Sequence, residues 1–175
     1  MIIIGDNMHK FILLIFIVLF VDSLIVLLIK TYNELIRMKN ELNSNYKNLN
    51  KEITFRVDLS KKYLDIVSKY LTPGLIQQMT TLIEQYKTRV SIVDIADSYY
   101  RINNCLSDMS KVLVQNNFSA PEWDKAFNDS YSRIEALKVI YDDNVLKMNN
   151  IIKIPGTSFV AMIFGFVKWP YFRNA

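Results

Sequence analysis

FILLIFIVLFVDSLIVLLI, residues 11–29, decides how the chain is read. Of its nineteen residues only Asp22 and Ser23 are polar. As an α-helix the stretch rises about 29 Å, close to the roughly 30 Å hydrocarbon core of a bilayer. The reading is one transmembrane helix near the N-terminus, with everything after it on one side of the membrane. A secretory signal peptide needs a basic start, a shorter apolar run and a small-residue cleavage site. Here Asp6 offsets Lys10, residues 24–29 turn apolar again after Asp22, and no such site follows. A buried helix of a soluble protein is the remaining alternative, but nothing else in the chain is apolar enough to surround it.

Charges on either side set an expected orientation. Lys10 alone precedes the span, whereas Lys30, Arg37, Lys39 and Lys47 follow it. The positive-inside rule then places the N-terminus outside and the larger C-terminal part in the cytoplasm of a cell-membrane protein. Asp22 is the costly residue in the span, at about 2.5–3.5 kcal/mol on insertion scales. Two readings stand side by side: a helix–helix contact in which Ser23 shares a hydrogen bond, or one protonated carboxyl tolerated in a very apolar segment. A proton path is disfavoured, because one acid on one helix makes no pathway.

About 145 of the 175 residues follow the span, enough for one ordinary domain. The net charge of +4 is modest and spread along the chain, so no nucleic-acid partner is expected. Cys105 is the sole cysteine, which excludes a disulfide framework and a cysteine-based metal site. His9, the sole histidine, lies at the edge of the span, so a catalytic triad or histidine-ligated metal centre is excluded by count. No glycine-rich phosphate loop and no nucleophile with its base is present. The chain is therefore not expected to be an enzyme, and no cofactor is implied.

Beyond the span the pattern is helical throughout. Tyr32, Leu35, Lys39, Leu42, Tyr46, Leu49, Ile53, Arg56, Ser60, Tyr63, Val67 and Tyr70 fall at alternating spacings of three and four, a coiled-coil-like seam. No Pro or Gly lies between Gly5 and Pro73, so one helix is expected from the membrane to about Leu71. Asn40, Asn43, Ser44, Asn45, Asn48 and Asn50 crowd its off-seam positions and read as a solvated face. Thr72-Pro73-Gly74 breaks it. A short second helix carries Ile76, Met79, Ile83, Tyr86 and Val90. Ser91-x-x-Asp94 then opens a third helix like a capping box, with Ile92, Ile95, Tyr99, Ile102, Leu106, Met109 and Leu113 on its stripe. Ser119-Ala120-Pro121-Glu122 reads as a second box. The fourth helix carries Trp123, Phe127, Ser130, Ile134, Leu137, Tyr141, Asn144, Met148 and Ile151, and stops before Pro155-Gly156.

The expected fold is all-α: an N-terminal transmembrane helix continuing into a long antiparallel four-helix, coiled-coil-like bundle. Its parts are a short segment at 1–10, the span at 11–29, the bundle at 30–154 and an apolar, aromatic tail at 155–175. The tail, with Gly165, Phe166, Trp169, Pro170, Tyr171 and Phe172, is too short to span. It either lies at the bilayer interface or packs as a flap on the bundle. Arg56 is the charge deep in the first seam and needs partners. Glu135 and Asp142 on the antiparallel fourth helix are the candidates, in a register-setting buried ion pair or, less favoured, a ligand site.

These residues also carry a resemblance. Tyr32-Asn33 leads into the long helix, and Arg56-x-Asp58-Leu59 follows. Arg133-Ile134, Tyr141-Asp142, Ile154-Pro155, Gly165-Phe166 and Pro170-Tyr171-Phe172 complete the set. Taken together, along almost the whole chain, they resemble the LemA family of bacterial membrane proteins. Tyr46 stands where that family has Trp, Phe55 where its motif has a first Arg, and Lys61 where it has Pro, as in a divergent member. The resemblance implies an antiparallel helical bundle on one membrane anchor, with no established enzymatic activity.

Three functions compete. The first is a membrane-tethered scaffold, bound to lipid and recruiting a protein partner or further copies of itself. Another is a subunit of a membrane complex whose chemistry uses Arg56 and nearby carboxylates. The third is a peripheral membrane-remodelling protein acting through the tail.

Overall fold

Sixty-five residues, free of proline throughout and of glycine after Gly5, form a single helix, α1 (Ile3–Val67). The computed structural model describes residues 3–172, with side chains from Lys10 onward. Residues 1–9 of the expected N-terminal segment, His9 included, and the last three residues of the tail therefore fall outside the described side chains. Four more helices follow: α2 (Pro73–Lys87), α3 (Ile92–Gln115), α4 (Pro121–Ile151) and α5 (Pro155–Ile163). No strand occurs among the described residues, so the fold is all-α as expected.

The helix boundaries follow local chemistry. α1 tightens into a 3₁₀ turn at Ser68–Tyr70 before Pro73 takes the first position of α2, where a missing N–H leaves nothing unpaired. Ser91 caps α3: its Oγ accepts the Asp94 N–H at 3.1 Å and donates to Asp94 Oδ2 at 2.7 Å. The second expected box is displaced by one residue. Ala120 O accepts the first helical bond of α4, from Asp124 N at 3.1 Å, so Ala120 and not Ser119 is the flanking residue.

The chain clusters into two compact units. One takes in the start of α1 as far as Asn40 together with Met148–Lys168; the other is Glu41–Lys147 with the chain from Trp169.

In the second unit the side-chain contacts fix the topology. Glu41 meets Asn144, Glu52 meets Arg133, and Tyr63 meets Trp123. Numbers rise on α1 as they fall on α4, so the two helices are antiparallel. Arg56 meets Asn103, and Tyr70 O accepts from Asn116 Nδ2. Numbers rise together there, so α3 runs parallel to α1. With α2 joining them in the opposite sense, the unit is an up-down-up-down antiparallel four-helix bundle. Leu42, Leu49, Ile53, Val57 and Val67 of α1 pack inside with Met79, Ile83, Tyr99, Ile102, Met109, Ile134 and Tyr141. The predicted seams account for most of this core. Val90 departs from them, 87% exposed past the end of α2.

In the first unit residues 11–29 form a helix long and apolar enough to cross a membrane, and none of the span is buried inside the protein. Farther along the same unit Leu35, Met148, Val160 and Ala161 are buried. Pro155 opens α5, a helix within the stretch expected as an apolar, aromatic tail. Gly165 ends it in the left-handed conformation at φ 68°, and Phe166 N reaches back to Ala161 O at 2.9 Å, a Schellman closure. This turn returns the chain to α1. Tyr32 lies 4.6 Å from the Phe164 ring and 6.2 Å from Phe166, centroid to centroid.

Candidate functional site: the Arg56 cleft and the tail clamp

α1, α3 and α4 surround Arg56, which is 7% exposed. Its Nε donates to Asn103 Oδ1 at 2.8 Å and its Nη1 to the Phe127 carbonyl at 2.6 Å. The guanidinium carbon stands 5.3 Å from the Phe127 ring centre and 5.9 Å from that of Tyr131. Both lie within cation–π range. Burial pulls the Arg56 pKa below its ordinary value, an effect that Tyr99 and Tyr131 oppose. The guanidinium remains charged, because arginine's ordinary pKa is so high.

The ion pair expected with Glu135 or Asp142 is therefore replaced by neutral acceptors. Helical register explains why. The α1–α4 contacts place Arg56 level with residues 127 to 131. Glu135 lies about one and a half turns beyond that level and Asp142 about three and a half. Glu135 instead accepts from Lys138 Nζ at 2.9 Å on both oxygens and from the Tyr99 hydroxyl at 3.4 Å. Asn103 stands on α3, the helix parallel to α1, and not on the antiparallel helix to which the seam of Arg56 points. Its signal is slight: one amide beside Ile102 on an otherwise apolar stripe.

Arg56 also lines a cleft of ≈ 500 Å³, together with Asn103, Ser107, Asp124, Asn128 and Tyr131. The arrangement offers a guanidinium, amide and hydroxyl groups, one carboxylate and an aromatic wall. Such a set suits the recognition of a small polar group. Among the described residues no three His, Cys, Asp or Glu side chains are grouped to hold a metal ion.

A second constellation joins two motifs that are distant in sequence. The Tyr141 hydroxyl donates to Pro170 O at 2.9 Å, and Phe172 N donates to Asp142 Oδ1 at 2.8 Å. Phe172 is fully buried, with its ring 6.1 Å from Tyr99 and 6.3 Å from Tyr100. Lys138 covers this pocket, its Nζ 5.0 Å from the Tyr100 ring centre and 5.7 Å from that of Phe172. Burial pushes the Lys138 pKa down, but hydrogen bonds to Tyr100 and Glu135 and their charges outweigh it, and the net shift is upward. Desolvation raises the Tyr141 hydroxyl far above its ordinary value, with Asp142 and Tyr46 adding to the rise. It pushes Tyr99 up to about 12. Asp142 thus holds the end of the tail, and the Tyr141-Asp142 and Pro170-Tyr171-Phe172 segments form one structural clamp. Of the other tail residues, Gly165 and Phe166 form the α5 turn, Tyr171 is exposed, and Trp169 is half-buried.

Asp22 and Ser23 stand on the exposed surface of the apolar span. The chain matches no protein-family model and no curated protein.

Proposed function

We propose that this is a single-pass, membrane-anchored helical scaffold of the LemA type, holding a protein partner or further copies of itself at the membrane. One observation carries the reading: an apolar helical span covered by none of the other described residues continues without a break as the first helix of a bundle. An uncovered surface of that size in water is an association site or an aggregation liability, and its length is that of a bilayer core. The basic residues after the span favour a cytoplasmic bundle. Asp22 then becomes the helix–helix contact through which copies or partners meet, with Ser23 beside it.

Cross-linking of the intact protein in membranes, followed by mass measurement in native detergent, tests the scaffold. The expected result is a defined protein adduct whose yield falls in Asp22→Leu. Lone monomers in both variants would sink the proposal.

The Arg56 cleft favours a second reading, in which the bundle serves a membrane complex by binding a carboxylate-bearing ligand there. A buried guanidinium held only by neutral acceptors has charge left to satisfy. Small carboxylic acids should raise the melting temperature of the wild type but not of Arg56→Met; no rise with any acid counts against it.

A further inference from the structure

The outer face of α5 has the wrong chemistry for water. Val160 and Ala161, small residues, are the buried ones, at 1% and 4% exposure. Phe159, Met162 and Ile163, spaced three and four apart on the opposite face, are 54%, 73% and 55% exposed, and Val167 beyond the turn is 71% exposed. No charged residue occurs in Pro155–Ile163. A surface helix in water turns its large apolar side chains inward and its polar ones outward. Here the large ones face out, as they do when the surroundings are themselves apolar.

The location of α5 says what those surroundings are. Phe164 and Phe166 pack on Tyr32, three residues past the end of the span, and Lys39 Nζ stands 5.9 Å from the Phe166 ring centre. Three helical residues amount to about 4.5 Å, inside the headgroup layer that borders the hydrocarbon. Interfacial helices sink an apolar face about 5–10 Å into that boundary. Exposed Lys153 and Lys168 flank α5, as basic residues flank helices on anionic lipid.

The geometry points to α5 as a second membrane contact. Its Phe159, Met162 and Ile163 face lies in the lipid interface beside the span, held at that depth by the Gly165 turn and the aromatic packing on Tyr32. This rests on the reading that residues 11–29 are in the bilayer. It goes further by assigning a lipid-binding face to a segment that cannot span.

Nitroxide labels on the full-length protein test it in vesicles of phosphatidylcholine and phosphatidylglycerol. They are placed singly by Val18→Cys, Met162→Cys and Val93→Cys. Cys105 is buried and left in place. Collision with oxygen, which partitions into lipid, is compared with collision by a water-soluble nickel chelate. Val18 should strongly favour oxygen, Val93 on α3 should favour nickel, and Met162 should favour oxygen several-fold over Val93 at a shallower depth than Val18. If Val18 reads lipid while Met162 matches Val93, the α5 proposal alone is overturned. If Val18 itself reads water, the anchor is overturned and α5 with it. If Met162 is shielded from both reagents and shows dipolar broadening between labels, a second copy covers the face, and lipid does not.

Discussion

Helices α3 and α5 carry apolar stripes of the same kind and treat them in opposite ways. α3 turns Ile92, Ile95, Tyr99, Ile102 and Met109 inward and leaves Asp97, Arg101, Asp108 and Lys111 outside. α5 buries Val160 and Ala161 and shows Phe159, Met162 and Ile163 to its surroundings. The difference teaches that an apolar stripe reports a need for cover without naming the cover. In the bundle the cover is protein; around residues 11–29 and the outer face of α5 none of the described residues provides it. The contrast should therefore appear as a difference in what substitutions cost.

The largest effect belongs to the clamp. Phe172→Ala empties a fully buried site against Tyr99 and Tyr100 and should destabilise the protein by about 3–5 kcal/mol. Phe159→Ala, a change of the same chemistry on the outer face of α5, should leave unfolding in detergent within about 0.5 kcal/mol of wild type. Urea unfolding of the intact chain, followed by circular dichroism, checks both. Equal losses in the two variants would erase the distinction between the stripes.

Arg56 should rank next. Arg56→Met removes donors to Asn103 and the Phe127 carbonyl and leaves part-buried acceptors behind, at a cost of about 1–3 kcal/mol. Pairing it with Asn103→Leu in a double-mutant cycle should recover part of the loss, since the orphaned amide is then gone too. A cycle with no coupling would mean that the guanidinium contributes through its stem alone.

How much of this was legible in the sequence divides along the same line. Periodicity located α1 to α4 and their inward faces, because the bundle core is built from local repeats of three and four. It missed α5 as a helix, since an apolar stretch between Pro155 and Gly165 has no polar face to set a period. It also assigned Arg56 the wrong partners. Antiparallel order can be read from short loops, but register cannot, and a shift of about a turn and a half separates Glu135 from the level of Arg56. The Tyr141–Pro170 and Asp142–Phe172 bonds pair residues about thirty positions apart, and no local pattern announces them.

Alkaline titration sharpens the comparison inside the bundle. Desolvation holds Tyr99 at about 12 in the folded state against an ordinary value of 10.0. The folded state keeps this proton more tightly than the unfolded chain. The associated stability is present below pH 10 and lost as pH climbs from there through about 12, on the order of 1–2 kcal/mol after allowance for solvent screening. Denaturation midpoints measured across that window should fall less steeply in Tyr99→Phe than in wild type. A slope unchanged by the substitution would assign the alkaline loss to other groups, Tyr141 first among them.

The smallest effects lie at two helix ends that close in the same way. α3 ends with Asn117 at φ 54° and Phe118 N bonded to Leu113 O at 2.9 Å; α5 ends with Gly165 at φ 68° and Phe166 N bonded to Ala161 O at 2.9 Å. Both turns then seat an aromatic ring, Phe118 on Tyr70 at 4.7 Å and Phe166 near Tyr32 at 6.2 Å. A β-carbon added at Gly165 meets nothing within 4 Å, so any penalty there is conformational and not steric crowding by neighbours. Gly165→Ala should cost about 1 kcal/mol, whereas Asn117→Gly should gain a few tenths, because glycine occupies the left-handed region with less strain than asparagine. Opposite signs in the two unfolding curves would show that both ends are governed by backbone conformation. If Gly165→Ala changes nothing, the α5 turn is not fixing the depth of its outer face, and the packing of Phe164 on Tyr32 must do so alone.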